Sequence, residues 1–234
     1  MHFKIALAFL IGCAVAADPT KNESRDLAAD IIEAQKELST FIQEALKFRS
    51  TYQLILNADI LLEVNNNFYQ IYSLMQTLGV DQATIDGIKA IAEQDINVMT
   101  VATDNLESAN LDMINGAYVI NSILRNGTLT DLRSNYDLWM GEAYPLFLQR
   151  YRQYFNALSV TGNVLELEVA AAINGLEGSE VTAIYVYLQK TNDRINADAA
   201  LMEREVYVYD FTLNEARLAV EVVMFQVPPS LSSI

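Results

Sequence analysis

From Thr20 to Leu78 the chain contains neither glycine nor proline, and its apolar residues recur there at alternating spacings of four and three. Leu27, Ile31, Ala34, Leu38, Phe41, Ala45, Phe48, Tyr52 and Ile55 make up this seam. Such a period follows one face of an α-helix and suits left-handed packing against other helices. A half-buried strand would alternate every two residues instead. The seam then changes phase to Leu54, Ala58, Leu61, Asn65, Phe68, Tyr72 and Met75, a stutter that alters supercoiling locally. Asn65-Asn66-Asn67 is a poor helical triplet, and a break in the rod is expected there.

Three further periodic segments follow. Gly79-Val80-Asp81 reads as a helix stop and then an N-cap. The second seam runs through Ile85, Ile88, Ala92, Met99, Ala102, Leu106, Ala109, Met113, Ile120 and Ile123. It closes at Arg125-Asn126-Gly127, a basic last turn before a glycine suited to the left-handed conformation. Thr128 or Thr130 caps a third segment carrying Leu132, Tyr136, Trp139, Phe147, Tyr151, Tyr154 and Leu158. Pro145 is expected to kink it and Gly162-Asn163 to interrupt it, before it stops near Gly175. Ser179 caps the fourth, which ends at Val227-Pro228-Pro229. Within it, 183–188 and 206–212 are rich enough in β-branched and aromatic residues to pass for strands. The charged, alanine-rich stretch between them lacks turn signals, so the reading is helix. Polar seam members, notably Asn65 and Asp95, are expected to fix register.

Four segments of roughly 45 to 55 residues joined by short glycine-containing turns predict antiparallel neighbours. The fold class is therefore all-α, an elongated antiparallel bundle of about four long helices, some broken or kinked, with coiled-coil-like packing. Residues 24–227 are read as one domain, with a tail at 228–234.

The N-terminus reads as an export signal. Lys4 precedes the apolar run Ile5 to Val15, and Ala14-Val15-Ala16 fits the small-x-small rule, which places cleavage after Ala16. Residues 17–23 would form a flexible mature start. No other segment reaches roughly 18 uninterrupted apolar residues, so no transmembrane segment is expected and the protein is read as secreted. Two glycosylation triplets, Asn22-Glu23-Ser24 and Asn126-Gly127-Thr128, fall where exposed, non-helical chain is expected.

Removing residues 1–16 also removes the only histidine, His2, and the only cysteine, Cys13. Without them there is no imidazole base, no thiolate, no zinc site of the usual kind and no disulfide. The pairs Glu166/Glu168 and Glu203/Glu205 are two residues apart and point to different sides of a helix. Asp26/Asp30 and Glu33/Glu37 share a face but read as a solvated stripe. No catalytic residue, metal ligand or cofactor site is assigned. One Lys and no acid is lost with the signal, so the net charge of −15 becomes −16. That charge repels nucleic acid and favours neutral or basic partners.

These features point to a secreted, non-enzymatic structural or interaction component, with a protein partner or self-association. The alternative is a carrier of a lipid or small hydrophobic ligand. By fold analogy a cysteine-free bundle of amphipathic helices resembles the exchangeable apolipoproteins, such as the insect apolipophorins. No motif is shared, however, and the seams here are narrow, as helix packing wants. If a small apolar ligand binds, the aromatic cluster at the kink, Trp139, Tyr144, Pro145 and Tyr151, is the expected place.

Overall fold

A computed structural model describes residues 26–226. These are almost wholly helical, and no strand occurs among the described residues. The first rod comprises α1 (Leu27–Leu54), a π-helical segment (Ile55–Val64) and α2 (Asn65–Thr77). The second is α3 (Gln82–Asn126), unbroken over 45 residues. The third consists of α4 (Leu129–Leu138), a second π segment (Trp139–Ala143), α5 (Tyr144–Val160) and α6 (Asn163–Ala172). The fourth is α7 (Ser179–Gln226), 48 residues without interruption. At 1.5 Å per residue the unbroken rods are about 70 Å long.

Bonds between rods fix the topology. Asn67 pairs with Thr191 and Asp59 with Arg194, so the first rod runs antiparallel to the fourth. Arg49 pairs with Glu107, Trp139 with the Met113 carbonyl, and Asn192 with Glu166, which makes each consecutive pair antiparallel. The first and third rods each pack against the second and the fourth. The arrangement is an up-down-up-down four-rod bundle around one core.

The turns are built as their residues dictate, with two corrections. Gly79 takes the left-handed conformation at φ 78° and Asp81 caps α3, its carboxylate accepting from the Thr84 N–H at 2.9 Å. Thr128, rather than Thr130, caps α4 by accepting from the Asp131 N–H at 3.1 Å. Gly127 is extended (φ −96°, ψ −166°), not left-handed. Glycine suits it for a different reason: a Cβ there would collide with the Ile123 side chain and lie 2.8 Å from the Ile123 carbonyl oxygen. At the start of α7, Ser179 is already inside the helix, and the carbonyl of Gly178 accepts the first bond, from Thr182.

The first rod departs most from the sequence reading. Leu54 and Leu61 are exposed, while Ile55, Leu56, Ile60, Val64, Phe68, Ile71 and Met75 are buried. A straight α-helix continued from Tyr52 at about 100° per residue would turn Glu63 to within about 20° of the core direction and Phe68 about 160° away. The wide π turns absorb extra chain and return Val64 and Phe68 to the core. The Asn65–Asn67 triplet does not break the rod, and the buried member is Asn67, not Asn65. Its Nδ2 donates to Thr191 Oγ1 at 3.2 Å.

Pro145 acts on the third rod in a related way. Its ring cannot donate to, and would crowd, the carbonyl four residues back. The helix widens just before it, and the Tyr144 N–H bonds the Trp139 carbonyl five residues earlier. Trp139 thereby points inward, its Nε1 donating to the Met113 carbonyl at 2.9 Å. The ring occupies the space over Gly116, where a Cβ would overlap it. Phe41, Phe48, Phe147 and Tyr209 fill the adjoining layers, with Phe147 stacked on Tyr209 at 4.4 Å between centroids.

Two glycines inside α3 should therefore respond oppositely to alanine. Overpacking against Trp139 costs about 1–3 kcal/mol and outweighs a helix-propensity gain of about 1 kcal/mol, so Gly116→Ala should lower stability. Gly87 faces open space, and Gly87→Ala should raise stability by up to about 1 kcal/mol. Urea unfolding of the two variants measures both, and a stabilising Gly116→Ala would contradict the packing.

Candidate functional site

Where α7 passes the first π segment, the bundle interior becomes ionic. Asp59, from the π segment, is 5% exposed and Asp198, from α7, is 3% exposed. Between them Arg194 donates from Nη2 to Asp59 Oδ1. Its Nε lies 3.7 Å from Asp198 Oδ1 and 3.5 Å from Glu63 Oε2 at the rim. Among the described residues, Asp198 Oδ2 and the Tyr154 hydroxyl are buried without a hydrogen-bond partner. One guanidinium thus faces two buried carboxylates. Burial first, and then the charge of Asp59, push the Asp198 carboxyl up to about 7, against the opposing pull of Arg194. Burial also drives the Tyr154 hydroxyl far above its ordinary value, so it stays protonated. The layer can take up or release one proton near neutrality.

Polar pins flank this layer on both sides. Glu107 accepts from Arg49 Nε at 2.6 Å, the Tyr52 hydroxyl at 2.7 Å and Gln53 at 3.3 Å. Burial raises the Glu107 carboxyl, but these donors together hold it below the usual range. Asn110, fully buried beside it, donates to the Ala45 carbonyl at 3.1 Å. In the other direction Asp95 accepts from the Gly162 N–H at 3.1 Å, which ties α3 to the break between α5 and α6. Burial raises Asp95 and that bond offsets part of the rise. Asp95 thus serves between rods, as its place in the seam suggested.

The expected aromatic cluster divides among different surroundings. Trp139 is a core residue, Tyr151 is half-buried with its ring 6.2 Å from Phe48, and Pro145 is exposed. Tyr144 is half-buried, its hydroxyl raised to about 12 by burial and by nearby Asp210. Arg150 bonds Gln153 on its own helix at 2.9 Å. Asn126 is exposed as expected but is the last residue of helix α3 rather than non-helical chain, whereas Asn22 and Ala16 lie outside the described residues. Tyr209 is buried and Tyr207 exposed, the division expected of two tyrosines two apart on a helix.

The Asp59–Arg194–Asp198 layer was not anticipated. Arg194 and Asp59 are 135 residues apart, beyond any spacing rule. A signal did exist: Asp198 stands three residues after Ile195 and four before Met202, in phase with the seam. Comparison with protein-family models, with curated proteins and with solved structures returns no match. No helix among the described residues is long and apolar enough to cross a membrane.

The layer makes stability depend on pH in a definite direction. Asp198 is raised above the ordinary aspartate value, so its contribution is complete below about 4 and is lost as pH rises through about 7. Asp210, pushed up to about 6 by burial, acts in the same sense. The melting temperature should rise as pH falls from about 8 to about 5.5, and Asp198→Asn should flatten that rise. An unchanged pH profile in the variant would show that the layer is not the titrating element.

Proposed function

We propose that the chain is an exported, non-enzymatic protein that acts outside the cell as a structural or interaction component. The observation that carries this reading is how the interior is used. Trp139, Phe147 and Tyr209 occupy the aromatic half themselves, and the buried acids of the other half are engaged between rods. Asp198, the carboxylate raised furthest from its ordinary value, is 3% exposed, out of reach of a substrate. What the molecule offers to its surroundings is four long helical faces, acidic overall. The exposed Asn126 at the α3–α4 turn suits a glycan, and the apolar leader ending at Ala16 suits export.

The carrier reading draws on a groove of about 300 Å³ beside the end of α7, bordered by Arg133, Tyr136, Asp137, Glu221, Met224 and Phe225. It is small, and half of its border is charged.

Native mass spectrometry of the protein from its secreted medium, with lipid extraction, separates the two. The expected result is a chain starting after Ala16, glycosylated at Asn126 and free of lipid. A stoichiometric lipid would move the assignment to the carrier, and a retained leader would remove export.

A further inference from the structure

The outer face of α7 carries a second apolar row that the bundle does not use. Phe211, Leu218 and Phe225 recur every seven residues, and Tyr207 stands four before Phe211. All four are exposed, Tyr207 to 72% and Phe225 to 85%. At about 100° per residue they lie within about 40° of one another. That direction is opposite the buried positions Met202, Tyr209, Ala216 and Val220. Seven-residue recurrence is what one helix presents to another along a shared axis. Asn214, three after Phe211, falls in the same row and would set register.

The neighbouring edge of α1 is acidic. Asp30, Glu33 and Glu37 of α1, with Glu215 of α7, border a groove of about 220 Å³ floored by Leu218, Ala219 and Val222. The cation next to them, Lys36, bridges Glu33 at 2.9 Å and Glu37 at 3.0 Å and so neutralises only part of the edge. An apolar row with an acidic border is complementary to an apolar row with a basic border. A second copy whose two-fold sets α7 antiparallel to itself fits poorly, because it brings the same α1 acids face to face. An anionic bilayer is repelled for the same reason.

We propose that the outer face of α7, together with the acidic edge of α1, docks a basic amphipathic helix of a partner protein. This rests on the interaction reading above and gives it a surface. Tyr207 to Phe225 spans about 27 Å of helix, so the matching segment is about 20 residues long. Its apolar anchors lie along Phe211 and Leu218, and its Lys or Arg residues reach Glu33, Glu37 and Glu215.

The test uses the mature protein and a designed helical peptide of about 20 residues, with leucine at heptad positions and lysine beside them. Two control peptides keep the composition with a scrambled order, or replace lysine by glutamate. Fluorescence anisotropy should give one-to-one binding of the first peptide alone. Phe211→Ser/Leu218→Ser, and separately Glu33→Gln/Glu37→Gln/Glu215→Gln, should each weaken it by about tenfold or more. Circular dichroism should stay unchanged, since the altered side chains lie outside the core. Equal binding of the scrambled peptide, or binding unaffected by either variant, overturns the proposal. So does a wild-type dimer that Phe211→Ser/Leu218→Ser dissociates, or capture by phosphatidylcholine vesicles through this face. If the peptide fails while native mass spectrometry shows a protein assembly, the surface is wrong and the interaction role stands. A lipid-loaded native mass removes that role as well.

Discussion

Everything in this bundle depends on keeping one apolar seam turned inward along rods about 70 Å long. A straight α-helix drifts by about 20° per heptad against a seven-residue repeat, so over six or seven heptads the seam would leave the core. α3 and α7 hold their seams without interruption. The first rod cannot, because its sequence would carry Glu63 inward and Phe68 outward. The π segment at Ile55–Val64 resolves that conflict, and the one before Pro145 lets the third rod turn Trp139 into the core.

The phase corrections divide the interior into two kinds of packing. Toward the ends of α3 and α7, aromatic rings fill the layers from Phe41 to Tyr209. Beyond Tyr52 the layers turn polar, through Glu107 and Asn110, then Asp59, Arg194 and Asp198, then Asn67 with Thr191. Buried ion pairs contribute little net stability, because desolvation offsets most of the attraction. Their effect is to penalise misalignment: sliding α7 by one turn against the first rod would carry Arg194 away and leave buried Asp59 unpaired. Register between otherwise similar apolar seams is thus fixed by groups that stabilise only the correct pairing. The same groups leave a carboxyl at Asp198 that titrates near neutrality.

The fold class, the four rods and three of the turn signals were legible because they rest on local periodicity and on glycine, aspartate and threonine chemistry. Asp81 and Thr128 cap as their positions suggest. The differences in the first rod have a common source. Leu54, Leu61 and Asn65 fall on a fixed helical period, which fails through a segment whose turns are wider. Gly127 was read for its freedom of φ when the constraint is contact with Ile123. The ionic layer joins residues far apart in sequence, so only the fold reveals it. The row on the outer face of α7 is the converse case. Its spacing is plain in the sequence, but which of two apolar rows faces the core is decided by packing.

The central claim, that the π segment exists to correct the phase of the first rod, is tested most directly by single-residue deletion. Removing exposed Leu62 should turn the wide stretch into ordinary α-helix. At about 100° per residue, Val64, Ile71 and Met75 would then stay within about 40° of the Tyr52 direction. Removing exposed Val101 from the uninterrupted α3 has no such remedy and rotates half a seam out of the core. Thermal melts followed by circular dichroism should show a cooperative transition for the Leu62 deletion and none for the Val101 deletion. Equal loss of cooperative folding in both would contradict the account.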